Sequence, residues 1–399
     1  MDTLLIRSPE LHDEADTRTA SARVEIPAEH HDLWFRGSRE MIVPRGADAF
    51  VITCLPTAMR LGLTMKVEAS VSPRLLAALD PIQDILGKWY PELRRIRVEA
   101  QPGPDAERPP RRGTVAFFSG GVDSFYTALK HRDALGALVL VHGFDMPLGN
   151  LALRARVTAA LQQAAEALEK PLVEVETNSR PFTDRHVRWD LHQFGAALAG
   201  VAAACSGLAG RVLIASSESY AHLDPNGSHV LLDPLWSTEY TTILHDGAEA
   251  TRVEKLEAIS DFPAALALLR VCWENPDNAY NCGRCEKCLR TMANLAAAGL
   301  LERCSAFVTP LDPERLGQVR IPSDLVAYHF QESLLRLRSG AGDPALSRAL
   351  ERALTRFEAS KVARSVAALP TAPLLHAMLR HRLGAPVRLM QGYLRRVFG

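Results

Sequence analysis

The feature that most constrains the fold is a regular alternation of strand-like and helix-like segments between residue 114 and about residue 300. Short apolar runs are separated by longer stretches in which apolar residues recur at three- and four-residue steps. The predicted strands are 114–119, 137–144, 171–177 and 211–217, and the predicted helices are 123–133, 151–168 and 190–206. This succession is typical of a doubly wound α/β domain, whose parallel sheet is covered by helices on both faces. We expect its ligand at the carboxyl ends of the strands.

The chain in front of this domain is predicted to form a flexible start and a small α/β domain. Residues 1–22 are acidic and interrupted by Pro9, so we expect them to be flexible. Residues 23–100 are expected to form the small domain. Its predicted strands are 49–56, 63–71 and 94–100, and its predicted helix is capped by Ser72, continues with Pro73 and ends near Trp89.

Residues 101–113 carry four prolines and two glycines among charged residues, which is typical of a linker. We place the main domain boundary there, followed by the doubly wound domain at 114–310 and a helical region at 311–399. The last part of that region, 361–399, has seven Lys and Arg and no acidic residue. It could meet an anionic membrane surface, RNA or a carrier protein, or it could be the basic outer face of a helical cap.

The composition of the chain excludes some classes of protein. The formal net charge is zero, so no global charge indicates nucleic acid. The N-terminus lacks the basic flank and apolar core of a signal peptide, and no apolar run reaches the ~18 residues needed to span a bilayer. We therefore expect a cytoplasmic protein that acts on a small-molecule substrate, and we keep a homodimer as an open expectation for its assembly.

The sequence SGGVDS, Ser119 to Ser124, stands where the first strand of the doubly wound domain ends and its helix begins. We call it the glycine corner. The start of a helix offers unpaired N–H groups and a partial positive charge, and both attract phosphate. Glycines let the backbone approach a ligand closely, and the two serines add hydroxyl groups. The pattern indicates a phosphate site, although a tight turn with an aspartate near the helix start is the simpler alternative.

Asp123 is the unexpected member of the corner, because a carboxylate repels phosphate unless a cation lies between them. Magnesium would supply that cation. The corner also lacks the lysine and the longer glycine spacing of the common nucleotide-binding loop GxxxxGK[ST]. We therefore predict that Asp123 acts with a magnesium ion at a different kind of phosphate site.

Four of the seven cysteines lie close together in the sequence, where Cys272 precedes a CxxCxxC motif formed by Cys282, Cys285 and Cys288. We call these four the cysteine quartet. Four thiolates satisfy tetrahedral zinc, and the two-residue spacings let one turn supply three of them. The same spacing occurs at iron–sulfur clusters, so zinc is the favoured prediction, and a cluster or redox-active thiols stay as alternatives. An odd, clustered set of cysteines argues against a disulfide framework.

The glycine corner resembles the pyrophosphate-binding loop of the PP-loop ATP pyrophosphatases, a superfamily that includes asparagine synthetase, GMP synthetase and NAD synthetase. The resemblance implies that ATP is divided between its α- and β-phosphates. A substrate oxygen becomes an AMP ester, pyrophosphate leaves, and ammonia or sulfur then displaces AMP. It also implies that the corner holds pyrophosphate through Ser119, Gly120, Gly121, Val122, Asp123 and Ser124. Gly143, Phe144 and Asp145, at the end of the second strand, would lie near the adenosine.

The cysteine quartet, a lone cysteine followed by CGxCxxC, resembles the zinc signature of one PP-loop family, the 7-cyano-7-deazaguanine synthases of queuosine biosynthesis. The two resemblances together cover about residues 112–300. The chain departs from that family by having about 110 residues in front and about 90 behind, and by lacking its tyrosine–proline–aspartate–cysteine–arginine stretch. The resemblance therefore implies an ATP-dependent, AMP-forming C–N ligase that activates a carboxylate or amide carbonyl, and we expect a different substrate.

Ammonia is the nucleophile that the resemblance favours. Residue 2 is aspartate rather than the nucleophilic cysteine with which one class of amidotransferases begins, so ammonia would be free or delivered by another protein. A sulfur-transferring version would use a thiolate from Cys54, Cys205 or Cys304, or an external sulfide-delivering protein. A nucleotide-binding protein without catalysis is the third alternative.

A predicted helix after residue 250 carries two candidate catalytic side chains. Thr251 and Glu254 have the spacing of a capping box, and the helix that they open places Arg252 and Lys255 on one face. The pair could neutralise the charge that develops between the α- and β-phosphates, or it could be a solvated basic face. The preceding residues, 245–247, are predicted to form a loop.

Other polar residues are expected near the ligand because they follow the fourth predicted strand. Ser216 is the candidate for a nucleotide contact, and Ser217 and Glu218 lie beside it. Asp233 and Glu239 are weaker candidates for contacts with magnesium or the substrate. A polar surface loop is the alternative for all of these residues.

Overall fold

We describe a computed structural model of the chain, for residues 3–27, 29–103, 113–340 and 342–367, with side chains up to residue 362. The fold is α/β, and its single sheet has eleven strands. The strands are β1 (Thr3–Ile6), β2 (Glu10–Glu14), β3 (Thr17–Ile26), β4 (Glu29–Ser38), β5 (Thr64–Val71), β6 (Val98–Pro102), β7 (Thr114–Phe117), β8 (Leu135–His142), β9 (Leu172–Thr177), β10 (Arg211–Ala215) and β11 (Thr242–Asp246).

Helices cover the sheet and continue beyond its last strand. The α-helices are α1 (Asp48–Leu61), α2 (Pro73–Trp89), α3 (Val122–Lys130), α4 (Leu151–Ala167), α5 (Ser179–Thr183), α6 (Phe194–Ala204), α7 (Arg252–Ile259), α8 (Pro263–Leu268), α9 (Glu286–Ala297), α10 (Pro313–Gln318), α11 (Asp324–Ser339) and α12 (Pro344–Ala367). A π-helical turn at Trp189–Gln193 leads into α6. Among the described residues, no helix combines the length and the apolar character needed to cross a membrane.

The second half of the sheet is parallel and has the strand order of a doubly wound fold. From one edge inwards the order is β11, β10, β7, β8 and β9, and every pairing among these five is parallel. In chain order β7 comes first, so the sheet grows in one direction through β8 and β9 and in the other through β10 and β11. The direction reverses between β7 and β10, and a crevice for a ligand is expected outside the carboxyl ends of those two strands.

The first half of the chain extends the same sheet rather than forming a separate one. Strand β4 pairs antiparallel with β9, where Phe35 lies opposite Thr177. The order then continues through β3, β1, β5 and β6, and β2 pairs with β3. One apolar cluster contains side chains of both halves, including Phe50 of α1 and Val139 of β8. The predicted domains at 23–100 and 114–310 therefore share a sheet and a core, while most of the predicted linker, 104–112, lies outside the described residues.

Two predictions for the first half were wrong. Residues 49–56, predicted as a strand, lie within α1, which is buried at every position from Asp48 to Met59. A helix buried on all sides has no polar face, so its apolar run looks like that of a buried strand. Residues 1–22, predicted to be flexible, include β1, β2 and the start of β3, and Leu4 and Ile6 of β1 are fully buried. The strand at 63–71 and the helix from Ser72 to Trp89 were predicted correctly, and the Ser72 side chain accepts a hydrogen bond from the N–H of Leu75.

The helical region after residue 311 packs on the doubly wound half through its own apolar cluster. Phe330 and Leu334 of α11 and Leu350 of α12 lie in this cluster, together with Leu289 and Met292 of α9. Helix α11 also contacts α7. The region thus covers the two helices that carry the basic side chains described below. The basic stretch predicted at 361–399 lies mostly outside the described residues.

Candidate phosphate and metal sites

The glycine corner connects β7 to α3 at the point where the sheet order reverses. Gly120 has a φ of +75°, and a methyl group there would lie 2.4 Å from Cδ2 of Leu161. Only glycine fits this position without strain, because a side chain would meet both the backbone restriction and a packed neighbour. The corner is also held from outside, since its carbonyl at Gly120 accepts a hydrogen bond of 2.7 Å from the N–H of Arg270.

The N-terminus of α3 is open at this corner. Gly121 is the N-cap residue, and no side chain of the described residues caps the helix. The hydroxyl of Ser124 donates back to the carbonyl of Gly121 at 3.0 Å, while Ser119 is exposed. The N–H groups of the first turn are therefore left for a partner outside the helix, and an anion is the partner that the helix dipole favours.

Asp123, in this first turn, forms ion pairs with both predicted basic residues of α7. Nη1 of Arg252 donates to Oδ2 of Asp123 at 2.8 Å, and Nζ of Lys255 donates to Oδ1 at 3.2 Å. Lys255 also donates to the carbonyl of Ser216 at 2.6 Å. The side chains of Arg252 and Lys255 are only 3% and 1% exposed, against 19% for Asp123. The alternative of a solvated basic face is therefore excluded for this pair.

Local sequence explains why α7 presents these two cations. Thr251 caps the helix, and its hydroxyl accepts from the N–H of Glu254 while the Glu254 carboxylate accepts from the N–H of Thr251. This capping box was predicted correctly and fixes the start of the helix. Residues 245–247 were predicted as a loop, but His245 and Asp246 end strand β11, which pairs with β10.

The ion pairs change the argument about magnesium. Burial alone would raise the pKa of Asp123, but Arg252 and Lys255 overcome that effect and hold its pKa well below the ordinary value. Both carboxylate oxygens already accept from a cation. The repulsion between Asp123 and a phosphate is thus reduced by protein side chains.

Three further basic residues, which sequence reasoning missed, surround the same corner. Arg270 lies in the loop after α8, with its Nη1 3.8 Å from Oδ2 of Asp145. Lys287 and Arg290 come from the first turns of α9, and both have Asp123 and Arg252 among their electrostatic neighbours. We call Arg252, Lys255, Arg270, Lys287 and Arg290 the cation cluster.

Burial and mutual repulsion both act against the charges of the cation cluster. Burial lowers the pKa of Lys287 and that of Arg290, Asp145 and Glu286 respectively oppose this effect, and the charge of Arg252 adds to it in both cases. Nε of Arg252 and Nε of Arg270 are buried without a hydrogen-bond partner among the described residues. Buried donors of this kind are costly unless something accepts from them. An anion with several oxygen atoms would supply both acceptors and compensating charge.

The residues expected near the adenosine take part in packing. Gly143 has a φ of +96°, and a methyl group on it would lie 1.9 Å from the carbonyl oxygen of Thr177, so this glycine serves the contact between β8 and β9. Phe144 is buried against Trp189, with ring centroids 4.9 Å apart. Asp145 is half-exposed and faces Arg270. Of these three residues, only Asp145 has a side chain that lies near a charged group of the corner, Arg270.

Ser216 lies at the predicted place, directly after β10, but its hydroxyl and carbonyl groups already form hydrogen bonds within the protein. Its hydroxyl donates to the carbonyl of Glu218 at 2.9 Å, and its own carbonyl accepts from Lys255. Glu218 is the more unusual group, because it is buried and no cation pairs with its carboxylate among the described residues. It accepts from the N–H of Asp224 and from Nδ2 of Asn226. Burial raises the pKa of Glu218 to about 7.

A second buried acid lies between β10 and β11. Asp233 is fully buried, and its Oδ2 accepts from the hydroxyl of Ser228 at 2.7 Å and lies 2.7 Å from Nδ1 of His245. Its Oδ1 and Nε2 of His245 have no hydrogen-bond partner among the described residues. Glu239 is engaged by the N-terminal half, where it accepts from the N–H of Arg74 at 2.7 Å. We call Glu218 and Asp233 the strand-end acids.

The four cysteines of the quartet come together as predicted. Their sulfur atoms all lie within 4.8 Å of one another, and all four residues are buried. Sγ of Cys272 lies 3.9 Å from Sγ of Cys285, and Sγ of Cys282 lies 3.9 Å from Sγ of Cys288. A tetrahedral zinc ion with Zn–S bonds of about 2.3 Å requires S···S separations of about 3.8 Å. The quartet can therefore hold a metal ion such as zinc.

The backbone around the quartet is arranged for thiolate ligands. The N–H of Asn275 donates to Sγ of Cys272, and the N–H of Cys285 donates to Sγ of Cys282, both at 3.3 Å. Cys285 is the N-cap residue of α9 and Cys288 lies in its first turn. The quartet thus fixes the start of the helix that carries Lys287 and Arg290, and it ties the metal site to the cation cluster.

The three cysteines outside the quartet are buried and separate from one another. Burial raises the pKa of Cys54 and of Cys304, and raises that of Cys205 to about 12. Cys54 lies in α1 rather than in the strand predicted there. Thiols in such surroundings stay protonated and unreactive.

Comparisons with family models, curated proteins and solved structures give no match to this chain. The resemblance to the PP-loop ATP pyrophosphatases therefore stays a prediction that rests on the residues of the two motifs.

Proposed function

We propose that the protein is an ATP-dependent, AMP-forming ligase of the PP-loop type, which divides ATP between its α- and β-phosphates to activate a carboxylate or amide carbonyl. The observation that carries the proposal is an uncapped helix start at the reversal point of a doubly wound sheet, where two buried basic side chains pair with Asp123 and Lys287 and Arg290 act on the same carboxylate electrostatically. This arrangement suits a polyphosphate much better than it suits a neutral ligand.

The residues around the corner divide the work of holding the phosphates. The N–H groups of Val122, Asp123 and Ser124 would receive the pyrophosphate part, with Gly120 keeping the backbone close to it. Arg252 and Lys255 would compensate the charge that builds up on the leaving pyrophosphate, because their preorganised charges are already in place and shielded from water. Magnesium would enter with ATP as the counterion of its phosphates.

Asp123 acts as a positioning residue in this proposal. Its carboxylate accepts from Arg252 at 2.8 Å and from Lys255 at 3.2 Å, and so holds both side chains beside the helix start. The proposal includes zinc in the cysteine quartet as a structural ion that maintains the start of α9.

Ammonia remains the favoured nucleophile. A sulfur-transferring enzyme of this chain would need a reactive thiolate, and Cys54, Cys205 and Cys304 are all buried in surroundings that raise the pKa of the thiol. Sulfur transfer by this protein would therefore require an external sulfur donor. Glu218 follows β10, burial raises its pKa to about 7, and in this proposal it would accept the proton that an incoming ammonium ion must lose before it can attack.

The proposal is tested by incubating the protein with ATP, Mg²⁺, ammonium and a panel of carboxylic acids, and by identifying the phosphorus products. We expect AMP and pyrophosphate in equal amounts with at least one acid, and neither product when Arg252 is replaced by Met. A matched control is Arg284→Met, because Arg284 is 53% exposed and lies near Asp277 rather than the corner. Formation of ADP and phosphate, or equal pyrophosphate release by the two variants, would contradict the proposal.

A further inference from the structure

We propose that His329, on α11, belongs to the phosphate site and takes up a proton when a phosphate-bearing ligand binds there. The inference rests on the proposed function, since it requires the glycine corner to hold phosphate. It assigns a binding role to the helical region after residue 311, which sequence reasoning treated as a separate part of the chain.

His329 is held in place by the helix that starts at the cysteine quartet. Its backbone carbonyl accepts from Nδ2 of Asn294 on α9 at 3.2 Å, and the same amide nitrogen donates to the hydroxyl of Ser333 at 2.6 Å. The imidazole is buried. Its position is therefore fixed by the packing of α11 on α9. The contacting residue of α9, Asn294, lies one turn from Arg290 and two turns from Lys287 of the cation cluster.

The surroundings of the imidazole are dominated by positive charge. The charged groups that act on it electrostatically are Arg290 on α9, which pairs with Glu286 at 2.8 Å, Arg252 and Lys255 on α7, and Asp123 on α3. On its own helix, Glu332 accepts from the start of α7 and Arg336 pairs with Glu257, so neither compensates the charge around the ring. Three of the groups that act on the ring are cations and one is a carboxylate, and Glu286 offsets part of the charge of Arg290.

Nδ1 of His329 is buried and has no hydrogen-bond partner among the described residues. Burial and the neighbouring arginines hold the pKa of His329 well below its ordinary value, so the free protein carries the neutral ring. A phosphate oxygen only accepts hydrogen bonds, and a buried ring nitrogen can serve it only when that nitrogen carries a proton.

A bound polyanion reverses the field that keeps the ring neutral. Pyrophosphate brings several negative charges against the three cations, which favours the imidazolium form. The proton comes from the solvent, and no bond other than N–H is formed. Because the bound state then holds one more proton than the free state, the affinity for pyrophosphate must rise as the pH falls through the raised pKa of the complex.

The test is isothermal titration of Mg²⁺ and pyrophosphate into the full chain at pH 7, in buffers of different ionisation enthalpy. The number of protons taken up is compared between the wild type, His329→Gln, and His192→Gln, a control at another buried histidine whose pKa is lowered by burial. We expect the wild type and the control to take up about one proton more per pyrophosphate than His329→Gln, since glutamine offers an N–H donor but cannot titrate. Subtraction of the variant removes the protons exchanged by pyrophosphate itself.

Equal proton uptake by the wild type and His329→Gln would overturn the inference and leave the proposed function standing. Failure of the wild type to bind pyrophosphate would overturn both. If His329→Gln does not fold, nuclear magnetic resonance of the wild-type histidines decides the point. The His329 ring must change from neutral to protonated on addition of pyrophosphate at pH 7, and a ring that stays neutral contradicts the inference.

Discussion

The two groups of buried charges at the carboxyl ends of the parallel strands differ in how they are neutralised. In the cation cluster, basic side chains outnumber the acids, and Asp123 holds a cation on each carboxylate oxygen. The strand-end acids lie near the ends of β10 and β11, where, among the described residues, Glu218 accepts hydrogen bonds from N–H groups alone and Asp233 lies 2.7 Å from Nδ1 of His245. The first arrangement keeps charges fixed and suits a polyanion, whereas the second leaves a carboxyl group that can exchange a proton near neutral pH. Under the proposed function, one edge of the sheet would offer separate places for binding phosphate and for moving protons.

The largest effect is expected from removing the metal ligand on α9, which carries two members of the cation cluster. Replacing Cys288 by Ser should abolish stoichiometric zinc and lower the free energy of unfolding by about 5 kcal/mol or more, because the binding free energy of a structural zinc ion contributes to folding. Metal analysis and urea denaturation measure the two effects.

The control for this prediction is Cys205→Ala, a buried cysteine outside the quartet. It should keep its zinc and lose only about 1 kcal/mol, which corresponds to a small cavity. Zinc retained by Cys288→Ser, or lost by Cys205→Ala, would show that the quartet is not the metal site.

Breaking the ion pairs of the corner should have the next largest effect. Arg252→Met leaves part of the buried charge of Asp123 uncompensated, and we expect a loss of about 3–5 kcal/mol in the free energy of unfolding. Arg284→Met, at a 53% exposed side chain between Cys282 and Cys285, should change it by less than about 0.5 kcal/mol. Urea unfolding of both variants at pH 7 measures the difference, and equal stabilities would mean that the two arginines are equally solvated.

The next prediction concerns Glu218, one of the strand-end acids, and the pH dependence of the free energy of unfolding. The pKa of Glu218 is raised to about 7 by burial, so the folded protein holds this proton more tightly than the unfolded chain does. The contribution of Glu218 to the free energy of unfolding is fully present below about pH 4. It falls by about 3 kcal/mol in total as the pH rises to 7. Glu218→Gln should remove that decline.

The measurement is the difference in unfolding free energy between the wild type and Glu218→Gln at pH 5 and pH 7.5. The exposed Glu302 provides the control, and Glu302→Gln should follow the wild type at both pH values. If Glu218→Gln also follows the wild type, the carboxyl group of Glu218 is solvated like an ordinary surface carboxyl group. The proposed difference from the cation cluster would then be wrong.

The smallest effect on stability is expected at the glycine corner itself. Gly120→Ala places a methyl group 2.4 Å from Leu161 at a positive φ, and should cost about 1–3 kcal/mol. Gly149→Ala has no atom within 4 Å of the new methyl group, and should leave stability unchanged or raise it slightly. Thermal unfolding compares the two, and a silent Gly120→Ala would show that the corner is looser than described.

Sequence reasoning succeeded for features that are determined by residues close together in the sequence. The four central strands, the capping box at Thr251 and the cysteine spacing were all recognisable, because each depends on neighbours in the sequence. Arg270, Lys287 and Arg290 were missed although each lies within two residues of a quartet cysteine, and basic residues at that spacing were the available signal. His329 carries no local signal, since its position depends on how α11 packs against α9. The buried helix α1 was mistaken for a strand because it lacks a polar face.

The most direct test of the central claim is the binding of pyrophosphate and ATP to the full chain with Mg²⁺ at pH 7, measured by isothermal titration. We expect one site per chain for which the two ligands compete. We also expect Gly120→Ala and Arg252→Met each to weaken pyrophosphate binding by about tenfold or more, the equivalent of about 1.4 kcal/mol. Absence of binding, or an affinity that neither variant changes, would contradict the assignment of the glycine corner and the cation cluster as the phosphate site.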